Sequence, residues 1–187
     1  MIADSRRLPR FLLTAGSLYI AWYFLYHQVL LPSQTLDVAL CQHIASVSSA
    51  VLRALGFAST VKHTYLYLNG YHMVSVGWQC DGLPLMALFA IFIVAYPGPW
   101  RTKLWFVPLG ILAIHVLNIL RVVALALNQY YSRSTFEFNH HYTFALVVYA
   151  FIFWFWTIWV RRYAGRTPSA PSSPAVPTST PTSVNAA

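Results

Sequence analysis

Apolar residues in this chain fall into long blocks separated by short polar breaks. A helix needs about 20 mostly apolar residues to cross roughly 30 Å of hydrocarbon. Four blocks approach that length: residues 11–31, closed by Pro32; residues 80–97, closed by Pro97-Gly98-Pro99; residues 103–127; and residues 142–161. Tyr and Trp gather near several block ends (Trp100, Trp105, Tyr130, Tyr131, Trp159), as interfacial belts do. Residues 35–57 differ, because they carry Asp37, Gln42, His43, three serines and Arg53. Inserting such a segment as a lone span is costly, so it is expected as an interfacial amphipathic helix or a re-entrant one. Residues 60–76 form two β-rich runs around Asn69-Gly70. That pair suits a turn with positive φ at both central positions, which predicts a short extracytoplasmic β-hairpin.

Composition sharpens the class. The 187 residues are 58% hydrophobic and only 9% charged, against about 25% charged in ordinary soluble domains. Too few polar groups remain to cover a water-facing surface. An all-α polytopic membrane protein with four transmembrane helices is expected. The net charge of +8 could suggest nucleic acid, but the basic residues flank the apolar blocks instead of forming a patch. Arg6, Arg7 and Arg10 precede the first block, Arg101 and Lys103 lie between the second and third, and Arg161, Arg162 and Arg166 follow the fourth. By the positive-inside rule these clusters are cytoplasmic. Four crossings satisfy them all, and a fifth would not. No nucleic-acid partner is expected. The first block has no A-x-A-like cleavage site and is read as a retained signal-anchor. The chain then divides into a cytoplasmic N-terminus (1–10), a membrane domain (11–165) and a Pro/Ser/Thr-rich cytoplasmic tail (166–187), too poor in large apolar residues to order itself. It is placed as a multi-pass protein of the cell (inner) membrane.

This topology brings three reactive residues to one depth. Cys80 begins the second span on the outer side. Arg121 lies 17 residues or so along the third, roughly 25 Å from its cytoplasmic start at 1.5 Å per residue. His140 and His141 precede the fourth span, also on the outer side. Each has a plain alternative: a small core thiol, an arginine reaching to headgroups, a solvated imidazole. Together they make coherent chemistry. A thiol ionises more readily near a helix N-terminus or a cation, and a neighbouring histidine can carry protons. Arg121 cannot act as a base but can stabilise a developing oxyanion. The other histidines (His27, His43, His63, His72, His115) have no such setting and are read as solvated. Cys41 and Cys80 could pair in an oxidising compartment, although they form no CxxC. No metal-ligand cluster and no phosphate loop occurs, so no cofactor is expected.

Short boxes around these residues carry a resemblance. Gln79-Cys80-Asp81-Gly82-Leu83 resembles the Cys-x-Gly box of the exosortase/archaeosortase family, Asn118-Ile119-Leu120-Arg121-Val122 its Asn-x-x-Arg box, and Phe138-Asn139-His140-His141 its histidine box, as in short Bacteroidetes-type members. The resemblance covers roughly residues 75–162. It implies a membrane cysteine transpeptidase or protease that processes C-terminal sorting signals through a thioester. Cys80 would be the nucleophile, Arg121 the transition-state stabiliser, and His140 or His141 the acid/base, with Asn118 and Gly82 in support. Its partners would be the sorting-signal helix of secreted proteins, the lipid bilayer and an acceptor nucleophile. The alternative is a non-enzymatic membrane component of envelope or exopolysaccharide assembly, in which Cys80 is structural.

Overall fold

The computed structural model describes residues 7–77, 81–132 and 143–163. Cys80, His140, His141 and the tail at 166–187 lie outside them. The described chain is mostly helical, with α1 (Arg7–Leu25), α2 (Thr35–Ala54), α3 (Leu83–Ala95), α4 (Trp100–Tyr131) and α5 (Phe144–Arg162). Between α2 and α3 come three strands, β1 (Ser59–Lys62), β2 (Tyr65–Leu68) and β3 (Tyr71–Ser75).

Helix α1 does not stop at Pro32. It widens into a π-turn over Tyr26–Leu30, where the Leu31 N–H reaches back to the Tyr26 carbonyl, and runs on through Leu31–Ser33. A proline has no N–H and its ring crowds the preceding turn, and a wider turn relieves that crowding. Gln34 then takes the left-handed region at φ 50°, and α2 leaves in a new direction.

The strands form an antiparallel sheet of order β1-β2-β3. The expected two-run hairpin is thus a three-stranded meander. The first run breaks at His63-Thr64, where His63 adopts φ 56°. The second connection uses Asn69 and Gly70 at φ 51° and 83°. A register shift between Leu66 and Tyr67 turns both Met73 and Val74 of β3 inward.

Two cores result. In the first, Leu66, Leu68 and Val76 of the sheet region pack on Ile44, Ala45 and Leu52 of α2 and on Val122, Leu125 and Ala126 of α4. The serines of α2 belong to it: Ser49 bonds Ser59 at 2.8 Å, and the Ser48 hydroxyl donates to the Ile119 carbonyl at 3.4 Å. In the second core, Phe89 and Ile93 of α3 meet Phe106 and Ile114 of α4 and Ile152 and Trp159 of α5. Close approach here depends on Gly110, since a Cβ would overlap the Phe89 ring.

By length and composition, α2 and α4 could cross a membrane, and α3 is a shorter apolar helix. Helix α2 is the segment read from sequence as interfacial. It packs on α4 and on the sheet.

Candidate active site

The antiparallel run of α1, α3 and α4 brings one end of each together. Phe11 of α1 touches Phe92 and Tyr96 at the far end of α3, and Lys103 of α4 donates to the Val94 carbonyl at that same end. At the other end, beside the sheet, Tyr26, Asp37, Asp81, Gly82 and Asn118 gather.

Gly82 is shaped by this convergence. It lies at φ 78° just ahead of α3, and a Cβ would overlap the carboxamide nitrogen of Asn118. Only glycine meets both conditions without strain. Asn118 is almost fully buried. Arg121 stands one turn further along α4, on the same face by helical spacing. Its Nε is buried and meets no hydrogen-bond acceptor among the described residues. Of the residues selected from sequence, then, Gly82 and Asn118 are in direct contact and Arg121 is adjacent along the helix, whereas Cys80, His140 and His141 lie outside the described residues.

Two carboxyls join this end. Asp81 is fully buried, and its Oδ1 accepts the Leu83 N–H at 2.8 Å. Asp37 is buried as well, and its Oδ1 accepts the Tyr26 hydroxyl at 3.4 Å. Burial first, and the neighbouring Asp37 carboxyl second, push the Asp81 carboxyl up to about 7. A cleft of about 150 Å³, lined by Leu31, Gln34, Asp37, Val38, Cys41 and Thr64, opens alongside. Sequence reasoning missed this pair, counting Asp37 only as a cost of insertion and Asp81 only as the variable position of a box. One signal was available: the chain has just four acidic residues, and two of them occupy apolar surroundings.

The histidines also differ from expectation. His43 and His115, read singly as solvated, bond to each other at 3.1 Å because α2 packs against α4. Among the described residues, no three His, Cys, Asp or Glu side chains gather as a metal ion would require.

Gly82 is thus backed by Asn118, with Arg121 a turn beyond. The chain belongs to the transmembrane exosortase family (Exosortase_EpsH), whose model matches residues 10–160. That membership makes it a membrane protein, and the family is one of cysteine transpeptidases. No curated protein and no solved structure matches the chain.

Proposed function

We propose that the protein is a membrane-embedded cysteine transpeptidase or protease that cleaves C-terminal sorting signals of exported proteins. Cys80 attacks the scissile carbonyl and holds the acyl group as a thioester. Arg121 stabilises the oxyanion, and His140 or His141 carries protons to the leaving group and from the acceptor nucleophile. Four helices (α1, α3, α4 and α5) cross the inner membrane, with the sheet end on the extracytoplasmic side. Exposed apolar side chains such as Leu13, Ile20, Leu112, Leu146 and Phe153 suit lipid contact along three of these helices.

The observation that carries this reading is the half-buried Arg121. A guanidinium whose Nε meets no acceptor among the described residues is an expensive thing to hold in an apolar helix. It becomes economical in a site that develops negative charge one turn from Asn118 and Gly82. Family membership over residues 10–160 supports the same assignment.

The test is in-cell processing of an exported protein ending in a short motif, one apolar helix and a basic tail. Cys80→Ala, Cys80→Ser and Arg121→Ala should abolish processing at normal protein levels, and His140→Ala against His141→Ala should identify the acid/base. Full processing by Cys80→Ala would overturn the reading in favour of a non-enzymatic assembly component.

A further inference from the structure

We propose that the cleft at the corner between α1 and α2 is a binding site for a primary ammonium group, with the Asp37 carboxylate as its counter-ion. The inference goes beyond the catalytic reading above and stands whether or not that reading holds. Several pieces of chain meet at this corner. The continuation of the π-turn ends at Leu31–Ser33, Gln34 takes the backbone through the left-handed region at φ 50°, and α2 sets out from Thr35. Thr64 adds a wall from the β1–β2 turn, where its carbonyl accepts the Val76 N–H at 3.0 Å.

Asp37 supplies the charge. It is the third residue of α2, in the first turn, where the helix dipole favours an anion. It is only 3% exposed, so water compensates little of that charge. Its Oδ1 accepts one long bond, from the Tyr26 hydroxyl at 3.4 Å, and its Oδ2 meets no donor among the described residues. No lysine or arginine among them pairs with it. A carboxylate so placed is expensive to bury unless a cation or further N–H donors reach it. The cleft gives such a partner a way in, because Asp37 lines it.

The rest of the lining selects the kind of cation. Leu31 and Val38 are aliphatic, while Gln34 and Thr64 bring neutral oxygens. An ammonium carries three N–H donors, which suit one carboxylate together with neutral acceptors, and a short carbon stem suits the aliphatic walls. A multivalent metal ion matches less well. Among the described residues no three His, Cys, Asp or Glu side chains gather, and calcium or magnesium asks for about six oxygens or more. The cleft holds about 150 Å³. A cavity of that size admits benzene, so the occupant is a head of roughly six non-hydrogen atoms. The ammonium of a lipid headgroup and that of a soluble amine share this chemistry.

Cys41 places a reporter inside the site, since it lies one turn beyond Asp37 on α2 and lines the same cleft. Purified full-length protein is held in about 0.15 M salt, which screens exposed charges more than buried ones. It is treated with a cationic aminoethyl or an anionic sulfonatoethyl methanethiosulfonate, each rate being normalised to that reagent's rate with a small thiol. Peptide mass spectrometry follows Cys41 separately from Cys80. In wild type the cationic reagent should be favoured at Cys41 by about tenfold or more. In Asp37→Asn, whose amide still accepts from Tyr26 but carries no charge, the preference should fall to about twofold or less. Millimolar ethanolamine should slow modification by a neutral methanethiosulfonate in wild type and not in Asp37→Asn, and choline, which has no N–H donor on its nitrogen, should protect less.

Protection of wild type, but not of Asp37→Asn, in phosphatidylethanolamine nanodiscs relative to phosphatidylcholine ones assigns the ammonium to a lipid headgroup. Protection by soluble ethanolamine alone assigns it to a free amine, and either result upholds the site. Equal reagent preferences in wild type and Asp37→Asn overturn the proposal. So does charge preference without protection by either amine, since Asp37 would then charge the cleft without holding a ligand in it. If Cys41 reacts with none of the reagents, thermal unfolding in micelles decides: ethanolamine should raise the midpoint of wild type more than that of Asp37→Asn, and equal shifts overturn the proposal. None of these measurements needs turnover, so failure of the catalytic reading leaves them intact.

Discussion

Replacing Gly82 by alanine perturbs two physical quantities that can be measured apart. The first is the backbone: Gly82 lies at φ 78°, and a residue with a Cβ in the left-handed region costs about 1–2 kcal/mol. The second is space, since the new Cβ would overlap the Asn118 carboxamide, itself only 1% exposed and unable to retreat into solvent. Overpacking of this kind costs about 1–3 kcal/mol. Gly82→Ala should therefore destabilise the protein by about 2–5 kcal/mol. The assay is reversible unfolding in mixed micelles, run as a double-mutant cycle with Asn118→Ala. Removing the carboxamide abolishes the overlap and leaves the backbone cost, so the double variant should be more stable than additivity predicts by about 1–3 kcal/mol. Additivity within about 0.5 kcal/mol would refute the claim that Asn118 is what reserves position 82 for glycine.

Other consequences can be checked in the same way. Gly110→Val forces a side chain into the Phe89 ring and should lower stability by about 1–3 kcal/mol, with a Phe89→Ala background showing a smaller loss; equal losses in the two backgrounds would contradict the packing. Asp81 is raised in the fold from an ordinary 3.8 to about 7, so the folded state holds the proton more tightly than the unfolded chain. Its contribution is complete below the ordinary value and is lost as pH rises through about 7. Unfolding in micelles from acidic to alkaline pH should show that decline in wild type and a flatter curve in Asp81→Asn; parallel curves would refute it.

What could be read from sequence was what depends on neighbours along the chain. The proline break at residues 97–99 separates α3 from α4, and the apolar block at 103–127 lies inside the longer helix Trp100–Tyr131. The extra turn at its end carries Tyr130 and Tyr131, whose rings meet Phe57 just past α2, and the Tyr130 hydroxyl accepts from the Asn69 side chain of the sheet, partners no local window contains. The His63-Thr64 turn was hidden for a related reason. Histidine at φ 56° is not a local preference, and the turn is held by pairing of Lys62 with Tyr65 and of the strands around them. Arg121 stood out because its cost is local, an ion among apolar residues. The Asp37–Asp81 and His43–His115 contacts did not, because each joins helices whose packing had to be known first. Asp37, taken alone, argued against burial, and only a second carboxyl 44 positions later in the chain reconciles it with an apolar setting.

Helix α4 has 32 residues, a length near 48 Å, while the hydrocarbon layer is about 30 Å thick. If that layer lies across an untilted α4, roughly a third of the helix stands clear of it. The lower part holds Phe106 and Ile114 in the second core, the upper part holds Leu125 and Ala126 in the first, and Asn118 and Arg121 fall between them. In that placement the one helix would set the height of the candidate site relative to the lipid, and the protein would act as a gauge of bilayer thickness. In that placement, thicker lipid would draw Arg121 toward the hydrocarbon and thinner lipid would lift it into the headgroups.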